Sequence, residues 1–191
     1  VGNKTQLQFK QAFKDNYKNI PIKYALQTYN PETRNKPFGT AHAITKTLPF
    51  IEEPAIIFNG DDIYGKESLT KISNHLKTSN EDLLIYSKLI NKLPDNGEVT
   101  RGILSHNNNY LTGATEIFNL SKQNFKEKKL NEDSPCNINL FILKPETIKQ
   151  LKENVDNLIQ TFKDDKNKEC FIHVELANLA NQGKTRIKMM P

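Results

Sequence analysis

Two short segments about twenty residues apart most constrain how this chain can fold. The first is Lys36-Pro37-Phe38-Gly39-Thr40-Ala41-His42-Ala43. The second is Ala55-Ile56-Ile57-Phe58-Asn59-Gly60-Asp61-Asp62-Ile63-Tyr64-Gly65. A glycine-led turn opens a helix, and an apolar strand then ends in carboxylates. In an open α/β sheet, ligands sit beyond the carboxyl ends of the strands. This order therefore brings a phosphate-friendly helix start and a metal-friendly acid to one sheet edge. It points to an enzyme that handles a nucleotide with a divalent cation.

The surrounding pattern fits such a sheet. Leu7, Phe9, Ala12 and Phe13 suggest an amphipathic helix, and Ile22–Gln27 reads as a strand. Gly39–Phe50 fits a helix, Pro54–Phe58 a buried strand, Ser68–Leu76 a helix and Asp82–Leu89 a strand. This alternation predicts crossovers and a parallel sheet. Val99–Ser105 and Tyr110–Thr115 then form a hairpin across Asn107-Asn108-Asn109. Cys136–Leu143 is a further strand, and Pro145 opens a helix to about Phe162. Cys170–Asn181 is helical and ends at Gly183, and Thr185–Met190 closes as a strand.

Composition excludes several classes. With 191 residues the chain is one ordinary domain with room for a core. No apolar run approaches the ~20 residues of a membrane span, so no membrane partner is expected. Cys136 and Cys170 lack metal-ligand spacing and read as reduced thiols of a cytoplasmic protein. The formal charge is +5, with lysines scattered along the predicted helices as a solvated surface or a rim attracting a polyanion. No aromatic motif beside glycines and basic residues marks a nucleic-acid partner. His42, His75, His106 and His173 share no spacing for a metal site or triad, and His42 reads as a packing residue near the ligand edge.

Three residues fall at the carboxyl ends of the expected strands. Gln27 offers a donor and an acceptor, which matches the imide edge of uracil or thymine; it also suits a polar strand end. Gly39 lets backbone approach a flat ligand, or simply starts a helix. Asp61 suits Mg²⁺, which takes one or two carboxylates plus phosphates and waters. Asp62, nearer the helix, reads as its cap.

These segments resemble the sugar-phosphate nucleotidyltransferase family, in particular bacterial proteins with K-P-W-G-T-A-H-A followed by N-A-D-D-x-Y-G. Arg101-Gly102-Ile103 is similar to an R-G-V segment of that branch, and Glu116 stands where the family has the glutamate of a V-E-K strand. Cys136-Asn137-Ile138-Asn139-Leu140-Phe141 resembles S-M-N-F-W, before a T-P-E helix that is Lys144-Pro145-Glu146 here. Gly183–Lys188 resembles the closing G-K-x-x-V-K strand. The resemblance implies a Rossmann-like, three-layer α/β fold with a mixed, mostly parallel sheet. It implies nucleotidyl transfer from an NTP, UTP or dTTP being favoured, to a sugar 1-phosphate, with pyrophosphate leaving. Gln27, Gly39 and Thr40 would then bind the nucleotide. Asp61 would hold Mg²⁺ and serve catalysis, and Gly102, Glu116 and Asn139 would line the sugar-phosphate side.

The chain also departs from that pattern. The family's L-A-A-G-x-G-x-R loop has no counterpart, and Ile117 replaces the basic residue after the glutamate. A second metal aspartate of the family would fall beyond Pro191. Residues 1–191 are therefore expected to be a partial nucleotidyltransferase domain, inactive by itself. Two alternatives stay open. A nucleotide-sugar glycosyltransferase shares the layers but prefers Asp-x-Asp, against Asn59-Gly60-Asp61-Asp62 here. A non-catalytic sugar-nucleotide binder would account for Ile117.

Overall fold

The computed structural model describes residues 1–191. Helix α1 (Gln6–Phe13) is followed by the two-residue strands β1 (Asn16–Tyr17) and β2 (Ile20–Pro21). Next come α2 (Thr40–Thr45), β3 (Ala55–Ile57), α3 (Gly65–Thr78) and β4 (Asp82–Lys88). The hairpin β5 (Val99–Asn107) and β6 (Tyr110–Leu120) leads to β7 (Pro135–Leu143). Helices α4 (Pro145–Thr161) and α5 (Ile172–Asn181) and strand β8 (Ile187–Met190) complete the chain. No helix is long and apolar enough to cross a membrane.

Successive strand side chains point to opposite faces, and the central strands are apolar at both parities. Leu84, Phe141, Leu143, Ile187 and Met189 pack beneath Ile148, Leu151 and Val155 of α4 and Leu176 of α5. Leu83, Ile85, Leu140 and Ile142, of the other parity, pack against Ile72 of α3. The result is three layers, with helices on both faces of one mixed sheet. The start of α4 is tied to the sheet by the fully buried Asp82. Its carboxylate accepts the Lys144 N–H at 2.8 Å and the hydroxyls of Thr147 and Thr185 at 2.5 and 2.8 Å. Three donors around one carboxylate offset the desolvation of its charge.

The six-stranded sheet runs β3-β7-β4-β8-β6-β5. The expected predominance of parallel pairs is not met: only β4–β8 is parallel, and the other five pairings are antiparallel. Strands β3 and β4 do run in the same direction, as a helical crossover requires. However, β7 lies between them and pairs antiparallel with both. A late strand inserted between two early ones leaves no trace in the order of elements. Single bridges Ile103↔Cys136 and Tyr110↔Lys188 close β7-β4-β8-β6-β5 on itself, curling that part of the sheet.

The amino-terminal part also differs from expectation. Residues 22–26 form no strand, and Gln27 makes only an isolated bridge to Gly2. An apolar run becomes a strand only where an edge accepts it, and β3 keeps one edge unpaired, with Ile56 exposed. Helix α1 forms but buries no residue. Its Phe9 and Phe13 pack on each other and on Tyr17 of β1. The expected helix 39–50 breaks into α2 and a 3₁₀ turn, Leu48–Phe50, which contains Pro49.

Candidate functional site

The loop leaving β3 is held by its own side chains. The Tyr64 hydroxyl accepts the Asn59 N–H at 2.9 Å, and lies 3.3 Å from the Asn139 carbonyl and 3.4 Å from Asp62 Oδ2. Asn59 Nδ2 donates to Asp62 Oδ2 at 2.8 Å. Burial, with the Asp62 carboxylate close by, raises the Tyr64 phenol above its ordinary value and keeps it a donor. Asp62 is therefore a loop brace and not the cap expected for α3. That helix starts one residue after Tyr64 and has no side-chain cap. These bonds engage Asp62 and leave the exposed Asp61 carboxylate free.

Asp61 lines a cavity of about 580 Å³, together with Asn137 and Asn139 of β7. Only four of the 18 lining residues are hydrophobic, so the cavity suits a polar ligand. Lys71, Lys88, Lys92 and Arg101 line it as well. Lys88 is paired with the exposed Asp133 at 2.7 Å. The Arg101 guanidinium donates to the carbonyls of Lys92 and Thr100 at 3.0 and 3.1 Å. A cavity lined by both acids and cations matches a ligand that carries phosphate and arrives with a metal ion. In the sequence these cations are scattered. Folding gathers them, because α3, the end of β4, the turn after it and the start of β5 meet there.

Asn139 sits in a bulge. Ile85 pairs with Leu140 but Tyr86 with Asn137, so residues 138 and 139 have no partners on β4. Asn139 adopts a left-handed φ of 54°, which asparagine tolerates better than most residues. The Asn137 side chain clasps the bulge. Its Oδ1 accepts the Asn139 N–H at 3.1 Å, and its Nδ2 donates to Asn139 Oδ1 at 2.8 Å.

Gly102 and Glu116 come together as cross-strand partners. Neither of them lines the cavity. A Cβ on Gly102 would fall 2.4 Å from His173 Nε2, so the space is filled by an imidazole. His173 Nε2 also lies 2.8 Å from Glu116 Oε2. The sequence reading left His173 without a role, because residue 173 and residue 116 meet only when α5 packs on the β5–β6 hairpin.

Gln27, Gly39 and Thr40 also cluster, but away from that cavity. Gln27 Nε2 donates to the Gly39 carbonyl at 2.9 Å and lies 3.3 Å from His42 Nδ1. Gly39 has φ 94°, and a Cβ on it would come 2.6 Å from the Cys170 carbonyl oxygen. Cys170 N–H donates to the Phe38 carbonyl at 2.8 Å, and Ala41 N–H to the Cys170 carbonyl at 3.0 Å. The Thr40 hydroxyl accepts the Ile172 N–H at 3.1 Å, ahead of α5. The buried Arg34 donates to the carbonyls of Asp165 and Lys168, and its guanidinium lies over the Phe38 ring. The glycine-led turn is thus zipped to residues 165–172, and its glycine has a packing reason of its own. His42 is buried, as expected. Desolvation, then the positive charge of Lys46, lowers its imidazole to about 4, so it stays neutral.

Both cysteines are buried and free, and burial raises each thiol to about 11. No three His, Cys, Asp or Glu side chains converge as a metal cage. Mg²⁺ does not need one, since it is commonly held by one or two carboxylates with phosphates and waters. The exposed, unpartnered Asp61 carboxylate, in a cavity that Glu67 also lines, fits that habit.

No protein-family model matches the chain. No curated protein sequence matches it either. Solved structures do. The chain superposes on the inositol-1-phosphate CTP transferase from T. maritima with a TM-score of 0.61 and 12% identity, covering 100% of this chain and 63% of that one. It superposes on a UDP-glucose pyrophosphorylase crystallised with UDP-glucose with a TM-score of 0.57 and 13% identity, covering 98% and 70%. The chain thus spans less than two thirds of the first of these proteins. The structures it resembles are sugar-phosphate nucleotidyltransferases, and the likeness establishes the fold.

Proposed function

We propose that this chain is the substrate-binding part of a nucleotidyltransferase that moves a nucleotidyl group from an NTP to a sugar 1-phosphate, releasing pyrophosphate. The observation that carries this reading is the polar cavity that brings the free Asp61 carboxylate together with Lys71, Lys88, Lys92 and Arg101. The Rossmann-like description of the fold and a cytoplasmic setting go with the same reading.

In this scheme Asp61 holds Mg²⁺, which when bound neutralises phosphate oxygens. Lys71, Lys92 and Arg101 draw the sugar phosphate into the cavity and fix its orientation by charge. Asn139 and Glu116 meet the sugar hydroxyls. Gln27, Gly39 and Thr40 form the base side. Gln27 commits its Nε2 to Gly39, leaving Oε1 for the imide N–H of uracil or thymine. The chain's contribution to catalysis is alignment of the attacking phosphate oxygen, plus charge neutralisation.

The test is pyrophosphate release and nucleotide-sugar formation from UTP, dTTP or CTP with Mg²⁺ and a panel of sugar 1-phosphates. It is run on this chain and on the chain extended by the residues encoded upstream of Val1. Turnover is expected from the extended protein. Asp61→Asn should remove it while folding is kept, a loss on the order of several kcal/mol of transition-state stabilisation. Full turnover in Asp61→Asn would overturn the metal assignment. Absence of nucleotide-sugar product with every pair would overturn the activity.

A further inference from the structure

We propose that His173 is a positioning residue for the sugar side, a neutral imidazole with its proton on Nε2 that fixes the Glu116 carboxylate and couples it to Asn139. The assignment of Glu116 and Asn139 to the sugar rests on the function proposed above. The proton's place does not.

The polarity follows from hydrogen-bond arithmetic, starting at the bulge. The Asn139 N–H can only donate, so the oxygen of the Asn137 amide must face it, at 3.1 Å. Nδ2 of Asn137 is then the donor, both toward Asn139 Oδ1 at 2.8 Å and toward His173 Nδ1 at 3.1 Å. A nitrogen facing an N–H donor must offer its lone pair. His173 Nδ1 is therefore unprotonated, and the neutral ring carries its proton on Nε2. That atom lies 2.8 Å from Glu116 Oε2.

Glu116 Oε2 and His173 Nε2 are both shut off from solvent and neither has a well-formed hydrogen bond, although they lie 2.8 Å apart. Their approach is close but bent. Each atom's only relief from desolvation is the other, so the two must stay together. The Glu116 side chain nevertheless keeps 16% exposure. That exposure belongs to the rest of the carboxylate, which is the part able to accept from a ligand hydroxyl. Gly102 closes the arrangement from the opposite side, since any Cβ there would displace the ring. The unit Glu116–His173–Asn137–Asn139 thus links three elements, α5, β6 and β7, into one acceptor-and-amide pair suited to a polyol.

The first arm of the test needs no substrate. Long-range ¹H–¹⁵N NMR of the histidine side chains, with His173 identified by the signal lost in His173→Gln, reads the tautomer in the full chain at pH 7. The expected pattern is a protonated Nε2 and a lone-pair Nδ1, with the Nε2 resonance moving in Glu116→Gln. A protonated Nδ1, a doubly protonated ring, or no response to Glu116→Gln overturns the proposal. The second arm is kinetic, in the form of the protein that turns over. His173→Leu and Gly102→Ala should each raise KM for the sugar 1-phosphate by about 10-fold or more, the size expected for losing a hydrogen bond to a charged group. KM for the NTP should stay unchanged, and His173→Gln, which can donate to Glu116 from its own Nε2, should restore most of the loss. Equal rises in both KM values, or no rescue by His173→Gln, would mean a purely structural histidine. If no substrate pair turns over, the functional reading fails, and the tautomer result still decides the proton's place.

Discussion

Two segments of this molecule share one sequence signature and meet opposite fates. Both the 36–42 turn and the 58–64 loop are polar, contain glycine and precede a helix. In the first, folding gives nearly every polar group a protein partner: Gly39 lies against Cys170, Thr40 binds Ile172, and Gln27 is committed to Gly39. In the second, Asn59 and Tyr64 brace Asp62 and leave Asp61 free over a cavity. A segment whose groups are satisfied by the fold contributes stability. A segment that leaves a charge unpaired at a cavity is available for chemistry. The comparison therefore predicts that substitutions in the first act on folding and those in the second on turnover.

The sharpest way to break this division is Gly39→Ala. The new Cβ would require a disfavoured φ and would strike the Cys170 backbone, which cannot yield as a side-chain tip would. A loss of about 4 kcal/mol in urea unfolding is expected. A loss below about 1 kcal/mol would mean the turn is not locked.

Acid should act next on the same turn. The folded His42 is lowered to about 4 from an ordinary value of 6.5. The unfolded chain therefore takes up this proton first as pH falls. The stability from keeping His42 neutral is complete above about pH 6.5 and is lost progressively toward pH 4. It amounts to on the order of 3 kcal/mol. Unfolding free energies measured from pH 7 to 4 should fall less steeply in His42→Gln than in the parent chain. Parallel curves would place the acid sensitivity elsewhere.

Smaller effects belong to the second loop. Tyr64→Phe removes the acceptor of the Asn59 N–H and the link to Asn139, and should cost about 1 kcal/mol. Turnover should fall by more than that figure implies, because Asp61 loses its support. Asp61→Asn should leave the melting free energy within about 0.5 kcal/mol, since an exposed, unbonded carboxylate holds nothing in place. Strong destabilisation by Asp61→Asn would make it a structural residue and erase the contrast.

Much of the architecture is legible in the residues because it depends on near neighbours. The Asn108–Asn109 turn adopts positive φ at both residues, as a tight hairpin requires. Pro145 begins α4, and the apolar runs of β4 and β7 are buried on both faces. The two ends of the site are legible to the same extent. Asp61 sits at a strand end, and Asn139 sits in its strand beside it. The segment 22–27 shows where local reading stops, since its apolar pattern is a strand's but no sheet edge receives it.

The sequence alone determined the layered α/β class, the hairpin, the start of α4 at Pro145 and the placement of Asp61 in the loop after a strand. Each follows from period, capping or turn chemistry within a few residues. Only the tertiary structure decided that β7 lies between β3 and β4, turning an expected parallel sheet into a largely antiparallel one. It also decided that four cations line one cavity with Asp61, and that His173 fills the space left by Gly102 beside Glu116. These outcomes join residues as far apart as Ala55 and Leu143. They are set by which faces bury the most apolar surface together and by which buried polar atoms find partners, and neither quantity exists until the chain has closed on itself.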